Sequence, residues 1–117
     1  MFVGVVLLCR FAKEAVRVME DCDIEIVEAH HNRKVDAPSG TALMLADKIK
    51  KVQTDAKYVL GRSGEHKRQP EEIGIHALRM GSVVGEHQVI FTTNNQSLTL
   101  CHFAQDRSLY SDRKSVV

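Results

Sequence analysis

The hydrophobic pattern of this chain changes period along its length, and that change limits the folds open to it. Over residues 4–19, Val5, Leu8, Phe11, Ala12, Ala15, Val16 and Met19 recur every three or four positions, with Arg10, Lys13, Glu14 and Arg17 between them. That spacing predicts an amphipathic helix. Asp23-Ile24-Glu25-Ile26-Val27-Glu28-Ala29 then alternates charged and aliphatic residues, as a strand with one covered face does. Helical spacing returns over 41–52 through Ala42, Leu45, Ala46, Ile49 and Val52, after the turn and cap formers Asp36-Ala37-Pro38-Ser39-Gly40. Residues 61–70 are rich in glycine, proline and charge and are expected to form an exposed loop. Strands follow at 73–80, 88–93 and 97–103, the last two joined through Asn94-Asn95-Gln96. The expected class is α+β: a mixed sheet of about four strands with two helices on one face, the other face left for another subunit.

Composition narrows the function classes. A chain of 117 residues suits one domain, and 44% hydrophobic and 26% charged residues with a net charge of +1 describe an ordinary globular protein. Neither disorder nor a nucleic-acid partner is indicated. Cys9, Cys22 and Cys101 are odd in number and far apart, which argues against disulfides or a zinc ribbon and fits a reducing cytoplasm. The apolar opening at residues 2–8 lacks a preceding basic region and runs into helically spaced charges, so it reads as a folded helix rather than a signal peptide. No segment approaches the roughly 20 apolar residues that cross a bilayer, and no membrane partner is expected. An abrupt hydrophobic start is also how a domain cut from a longer protein looks.

The junction between the first strand and the second helix carries the chemistry. His30-His31-Asn32-Arg33-Lys34 places two imidazoles, a guanidinium and an ammonium within five residues. Such junctions hold functional groups on rigid supports. Ser39-Gly40-Thr41 falls where a helix begins and backbone amides lack partners, which attracts anions. Gly40 permits close approach of a ligand, and Thr41 adds a hydroxyl donor. The helix-end field alone contributes only ~0.3–1 kcal/mol when exposed. His31, Arg33 and Lys34 supply the stronger charge-assisted bonds. Histidine's reference pKa of about 6.5 suits His30 to give or take a proton near neutrality. Lys34, charged beside a bound carboxylate, can bond the anion or donate a proton as negative charge develops on carbon or nitrogen. The inference is acid chemistry on a small anionic substrate.

Blander readings stand beside it. A doubled histidine among basic residues is commonly a solvated loop, and Pro-Ser-Gly-Thr is commonly a plain helix start. Their combination on one short segment brings the anion site to equal standing with those readings. A metal held by Glu28, His30 and His31 is rejected, because neighbours on a strand point to opposite faces and no second ligand cluster has zinc-like spacing. Ser39 lacks the G-x-S-x-G elbow of a nucleophile. No G-x-G-x-x-G follows a strand, so no nucleotide site is read in this chain. His66, His76, His87 and His102 are taken as mostly surface or satisfied core residues, although Glu86 and His87 could face the cleft.

From Glu28 to Ala42 the sequence resembles the E-x-H-H-x-x-K-x-D-x-P-S-G-T-A signature of dihydrodipicolinate reductases. The resemblance extends to Val3-Gly4-Val5, Gly61-Arg62-Ser63-Gly64, residues 73–81 and Val84-Gly85-Glu86-His87, and so covers nearly the whole chain through about His102. It implies the C-terminal domain of a two-domain Rossmann-type reductase of lysine and diaminopimelate biosynthesis. In that family this domain holds the cyclic dicarboxylate product of dihydrodipicolinate synthase, and a separate domain, absent from this chain, presents NADPH or NADH. At matching positions His30 would be the general acid and base and Lys34 the proton donor. His31 would bind substrate, and Ser39, Gly40 and Thr41 would cradle a carboxylate. A homotetramer built through the sheet is also implied. Two departures are Asp106 before Arg107, where the family usually has a small hydroxyl residue, and a polar tail at 111–117. The alternative reading is a catalytically idle dicarboxylate-binding or oligomerisation module derived from the enzyme.

Overall fold

Ile24, Ile26, Ile73, Ile75, Val89 and Phe91 point to one side of a five-stranded sheet and are almost wholly buried there. In this computed structural model, which describes residues 2–105, the chain runs α1 (Val3–Val18), β1 (Asp23–His30), α2 (Gly40–Lys50), β2 (Lys57–Leu60), β3 (Glu72–Arg79), β4 (Glu86–Thr92) and β5 (Ser97–Phe103). The strand order is β2-β3-β1-β4-β5. β1 is parallel to β3, pairing Ile24 with Ile73 and His30 with Arg79. It is antiparallel to β4, pairing Glu28 with His87. β2 runs parallel to β3, and β5 antiparallel to β4. The sheet is therefore mixed, as expected.

Both helices cover the same face. α2 lies over β1, α1 over β4 and β5, and the two touch each other. Leu45, Ala46 and Ile49 of α2 and Val5, Leu8 and Ala12 of α1 close the core. Phe11, expected on the covered stripe of α1, is 55% exposed. It sits roughly a quarter-turn from the centre of that stripe at 3.6 residues per turn, and Cys9 takes the buried place. Val52 lies beyond the end of α2. β2 is the strand that the expectation of about four lacked. It is four residues long, Lys-Tyr-Val-Leu without alternation, and sits at the sheet edge on β3 alone. No helix among the described residues is long and apolar enough to cross a membrane. The altered positions Asp106, Arg107 and 111–117 lie outside the described residues.

The sheet's second face is partly spanned by the β2–β3 connection, which ionic bonds pin down. Glu25 accepts hydrogen bonds from Arg62 (2.9 Å) and Arg68 (3.0 Å) of that connection, from the Gly74 N–H (3.0 Å), and pairs with His76 Nε2 at 2.8 Å. Burial alone would raise its pKa, but bonds from Arg62, His76, Arg68 and Gly74 outweigh that and hold the carboxyl at about 2. The carboxylate lies directly over Gly74, where an added Cβ would stand 2.2 Å from Oε1. Gly74→Ala must therefore push Glu25 out of its donors' reach. The expected loss is about 1–3 kcal/mol, as for overpacking elsewhere. A urea midpoint unchanged from wild type would refute it.

Candidate functional site

The C-terminal ends of β1 and β3, the start of β4 and the N-terminus of α2 meet at one end of the sheet. Alternation along β1 puts Glu28 and His30 on the helix-covered face, with Ile24 and Ile26. Glu28 is fully buried, and a buried carboxylate needs partners. Arg79, across from His30 on β3, supplies two: Nη1 donates to Oε1 and Nη2 to Oε2 at 3.0 Å. His30 Nδ1 lies 3.0 Å from Oε1, and the Ser39 N–H donates to Oε2 at 2.6 Å. Burial by itself raises the Glu28 pKa, yet the bonds from Arg79, His30 and Ser39 prevail and hold it at about 2.

Ser39 is the N-cap of α2: its Oγ accepts from the Ala42 N–H at 3.2 Å, as cap residues do. The same Oγ stands 3.1 Å from Nε2 of His87. With its N–H also given to Glu28, Ser39 is buried and committed within the protein. The N–H groups of Gly40 and Thr41 have no hydrogen-bond partner among the described residues, the pair a helix start leaves open. Gly40 is exposed, and a Cβ there would meet nothing within 4 Å.

The cations lie on the β1–α2 connection. Lys34 pairs with Asp36 at 2.9 Å, which lowers the exposed Asp36 carboxyl below its usual range. Lys34 Nζ has three donors and so keeps capacity for a second anion. His31 Nδ1 accepts the Arg33 N–H at 3.2 Å, which leaves its Nε2 for a ligand. The rejected metal reading placed Glu28, His30 and His31 together. Glu28 and His30 share a face, His31 lies past the strand, and the Glu28 oxygens are already taken. Among the described residues, no group of three or more His, Cys, Asp or Glu side chains could hold a metal ion.

Sequence reasoning assigned no role to Arg79 and left His87 undecided. His87 is buried beside His30, ring centroids 5.3 Å apart, whereas Glu86 lies on the other face by alternation. The expectation for the scattered histidines is mostly surface or satisfied core residues, but Nδ1 of His87 and Nδ1 of His102 are buried with no partner among the described residues. Burial first, then the neighbouring His30, push the His87 pKa down to about 4, so its imidazole is neutral at pH 7.

Comparison with known proteins gives consistent results. A family model described as "Dihydrodipicolinate reductase, C-terminus" matches residues 4–112. The 4-hydroxy-tetrahydrodipicolinate reductase of Caldanaerobacter subterraneus subsp. tengcongensis is 52% identical over 112 residues, covering 94% of this chain and 45% of that protein. The one from Haloarcula marismortui is 44% identical over 108 residues, 92% of this chain and 43% of that protein. The solved structure of a dipicolinate-bound dihydrodipicolinate reductase from Paenisporosarcina sp. TG-14 superposes with a TM-score of 0.72 at 30% identity, over 97% of this chain and 44% of that one. The chain thus spans less than half the length of these relatives.

Proposed function

Because the chain belongs to the dihydrodipicolinate reductase C-terminal family, we propose that it is the substrate-binding and catalytic domain of a 4-hydroxy-tetrahydrodipicolinate reductase. The observation that carries the proposal is the meeting of His30 with the open helix start Gly40–Thr41, both tied to the buried Glu28. Gly40 and Thr41 receive one carboxylate of a cyclic dicarboxylate through two backbone N–H groups and the Thr41 hydroxyl. Ser39 serves by capping the helix that presents them. His31 and Lys34 bind the anion from the β1–α2 connection. Lys34 carries the proton delivered to the substrate, and His30 acts as general acid and base through Nε2. The dipicolinate bound to the Paenisporosarcina reductase has the ring and paired carboxylates this cradle suits.

The described residues do not fit a nicotinamide dinucleotide. The β1–α2 connection, where a phosphate loop would lie, is filled by cations and Pro38, and its first glycine, Gly40, already opens the helix. The hydride donor, NADPH or NADH, therefore belongs on a separate domain in this proposal, and no step here runs through it. The 117-residue chain is accordingly expected to show no NADPH-dependent turnover; robust turnover by the purified chain would overturn that division of labour. Assembly as a homotetramer through the sheet is supported by the second face, where Leu78 and Phe103 are half exposed, and sedimentation would test it.

The direct test is titration with pyridine-2,6-dicarboxylate. Saturable binding is expected, weakened by His31→Ala and Lys34→Ala by roughly 10- to 100-fold each, the value of a charge-assisted bond. Thr41→Val, which deletes one neutral donor, should weaken it by roughly 2- to 10-fold. Absence of binding by a folded chain would favour the oligomerisation module instead.

A further inference from the structure

We propose that Glu28 is a positioning residue, one buried carboxylate that sets both the tautomer of His30 and the placement of the anion-binding helix start. The inference rests on the reading of His30 as acid and base and deepens it. A carboxylate offers about four acceptor directions. Here all are used: Oε1 faces His30 Nδ1 and Arg79 Nη1, and Oε2 faces the Ser39 N–H and Arg79 Nη2. An ionised carboxylate only accepts, so the His30 nitrogen 3.0 Å away must carry the proton. A neutral imidazole holds a single N–H, and Nε2 is therefore left as the bare lone pair. That atom has no hydrogen-bond partner among the described residues.

Space around Nε2 agrees with this division. A Cβ at Gly85 would stand 3.2 Å from Nε2, so any larger residue there crowds the nitrogen that exchanges the proton. On the other oxygen, the Ser39 N–H immediately precedes Gly40 and Thr41, so the same carboxylate fixes where their donors point. Arg79 makes the arrangement possible by neutralising a charge that has no access to water. The imidazole and the anion cradle are thereby referenced to one rigid point on β1, which near-attack geometry requires. A purely structural ion pair would leave the His30 tautomer indifferent to Glu28.

The measurement is long-range 1H–15N NMR of the 15N-labelled chain above neutral pH, with His30 assigned by a His30→Gln variant. Wild-type His30 is expected as the Nδ1–H tautomer, whereas unconstrained histidines favour Nε2–H. An Nε2–H tautomer in the wild-type chain overturns the proposal without recourse to any variant. In Glu28→Gln, an NH2 replaces one of the two acceptors. Turned toward His30 it flips the tautomer; turned toward Ser39 it breaks the bond to the N–H. A folded Glu28→Gln protein in which neither the His30 nitrogens nor the Ser39 amide shifts would also overturn it. Dicarboxylate affinity should fall roughly 10-fold or more in that variant while the helices stay intact by circular dichroism. The tautomer is read without ligand, and the titrations that test the ligand assignment vary His31, Lys34 and Thr41, so failure of the ligand assignment and failure of the Glu28 role are separable.

Discussion

Replacing Arg79 with methionine is expected to destabilise the fold by about 3–5 kcal/mol at pH 7, the cost of stranding one partner of a buried pair. Glu28 has no exposed surface, and the Arg79 side chain is only 18% exposed, so solvent screens little of the interaction. Both terminal guanidinium nitrogens reach the carboxylate, and Nη2 also bonds the Asp36 carbonyl at 2.8 Å, tying the β1–α2 connection to β3. Methionine keeps the bulk and removes every donor. His30 and the Ser39 N–H remain, but neither brings a permanent charge. The loss should also depend on pH in a definite direction. Wild-type Glu28 stays ionised down to about 2. Without Arg79, burial drives its pKa upward. The variant can then relieve the stranded charge by protonation, and its deficit against wild type should narrow as pH falls from neutrality. Urea unfolding at pH 7 and pH 5 measures both features. A loss under about 1 kcal/mol would put this pair with the weak surface bridges and contradict its burial.

Why Glu28 went unassigned from sequence is instructive, because half of the signal was present. The alternating direction of side chains along Asp23-Ile24-Glu25-Ile26-Val27-Glu28-Ala29 already puts Glu28 on the face of Ile24 and Ile26. A charge on a covered face demands a partner. The partner itself depends on the β1–β3 register, which pairs residues about 50 positions apart and has no local trace. The helices and the three long later strands were legible because their periodicity is local: 3.6 residues per turn against 2 per strand. β2 was not, being too short to alternate and held at the edge by pairing alone. In the site, the cap role of Ser39 follows from its place before a helix, whereas its bonds to Glu28 and His87 are tertiary. The β2–β3 connection read as an exposed loop from its glycines and charges. Its arginines proved to be anchors, since Glu25 across the sheet supplies the anion they need.

His87 carries the second large effect, a loss of stability in mild acid. The side chain is buried against Ser39 and the His30 ring, with Nδ1 unpartnered among the described residues. Burial is the main cause of its lowered pKa. His30, His102 and Lys34 push the same way, and the Glu28 carboxylate opposes them without prevailing. Its pKa is about 4 in the folded protein, against 6.5 for the free side chain. The unfolded chain therefore takes up the proton first. Stability is fully present above pH 6.5, falls as pH drops toward 4, and levels once both states are protonated. At about 1.4 kcal/mol per pH unit, the total loss comes to roughly 3.5 kcal/mol. Glu28 adds a separate loss at lower pH, between the ordinary carboxylate value of 4.5 and its own of about 2. His87→Gln, which retains a polar group toward Ser39 and cannot gain a proton, should abolish the upper window and leave the lower one. The gap between the denaturant midpoints of the two proteins should then change between pH 8 and pH 4, because only the wild type loses stability over that range. Parallel curves would mean that His87 reaches solvent and takes up a proton without disturbing the fold.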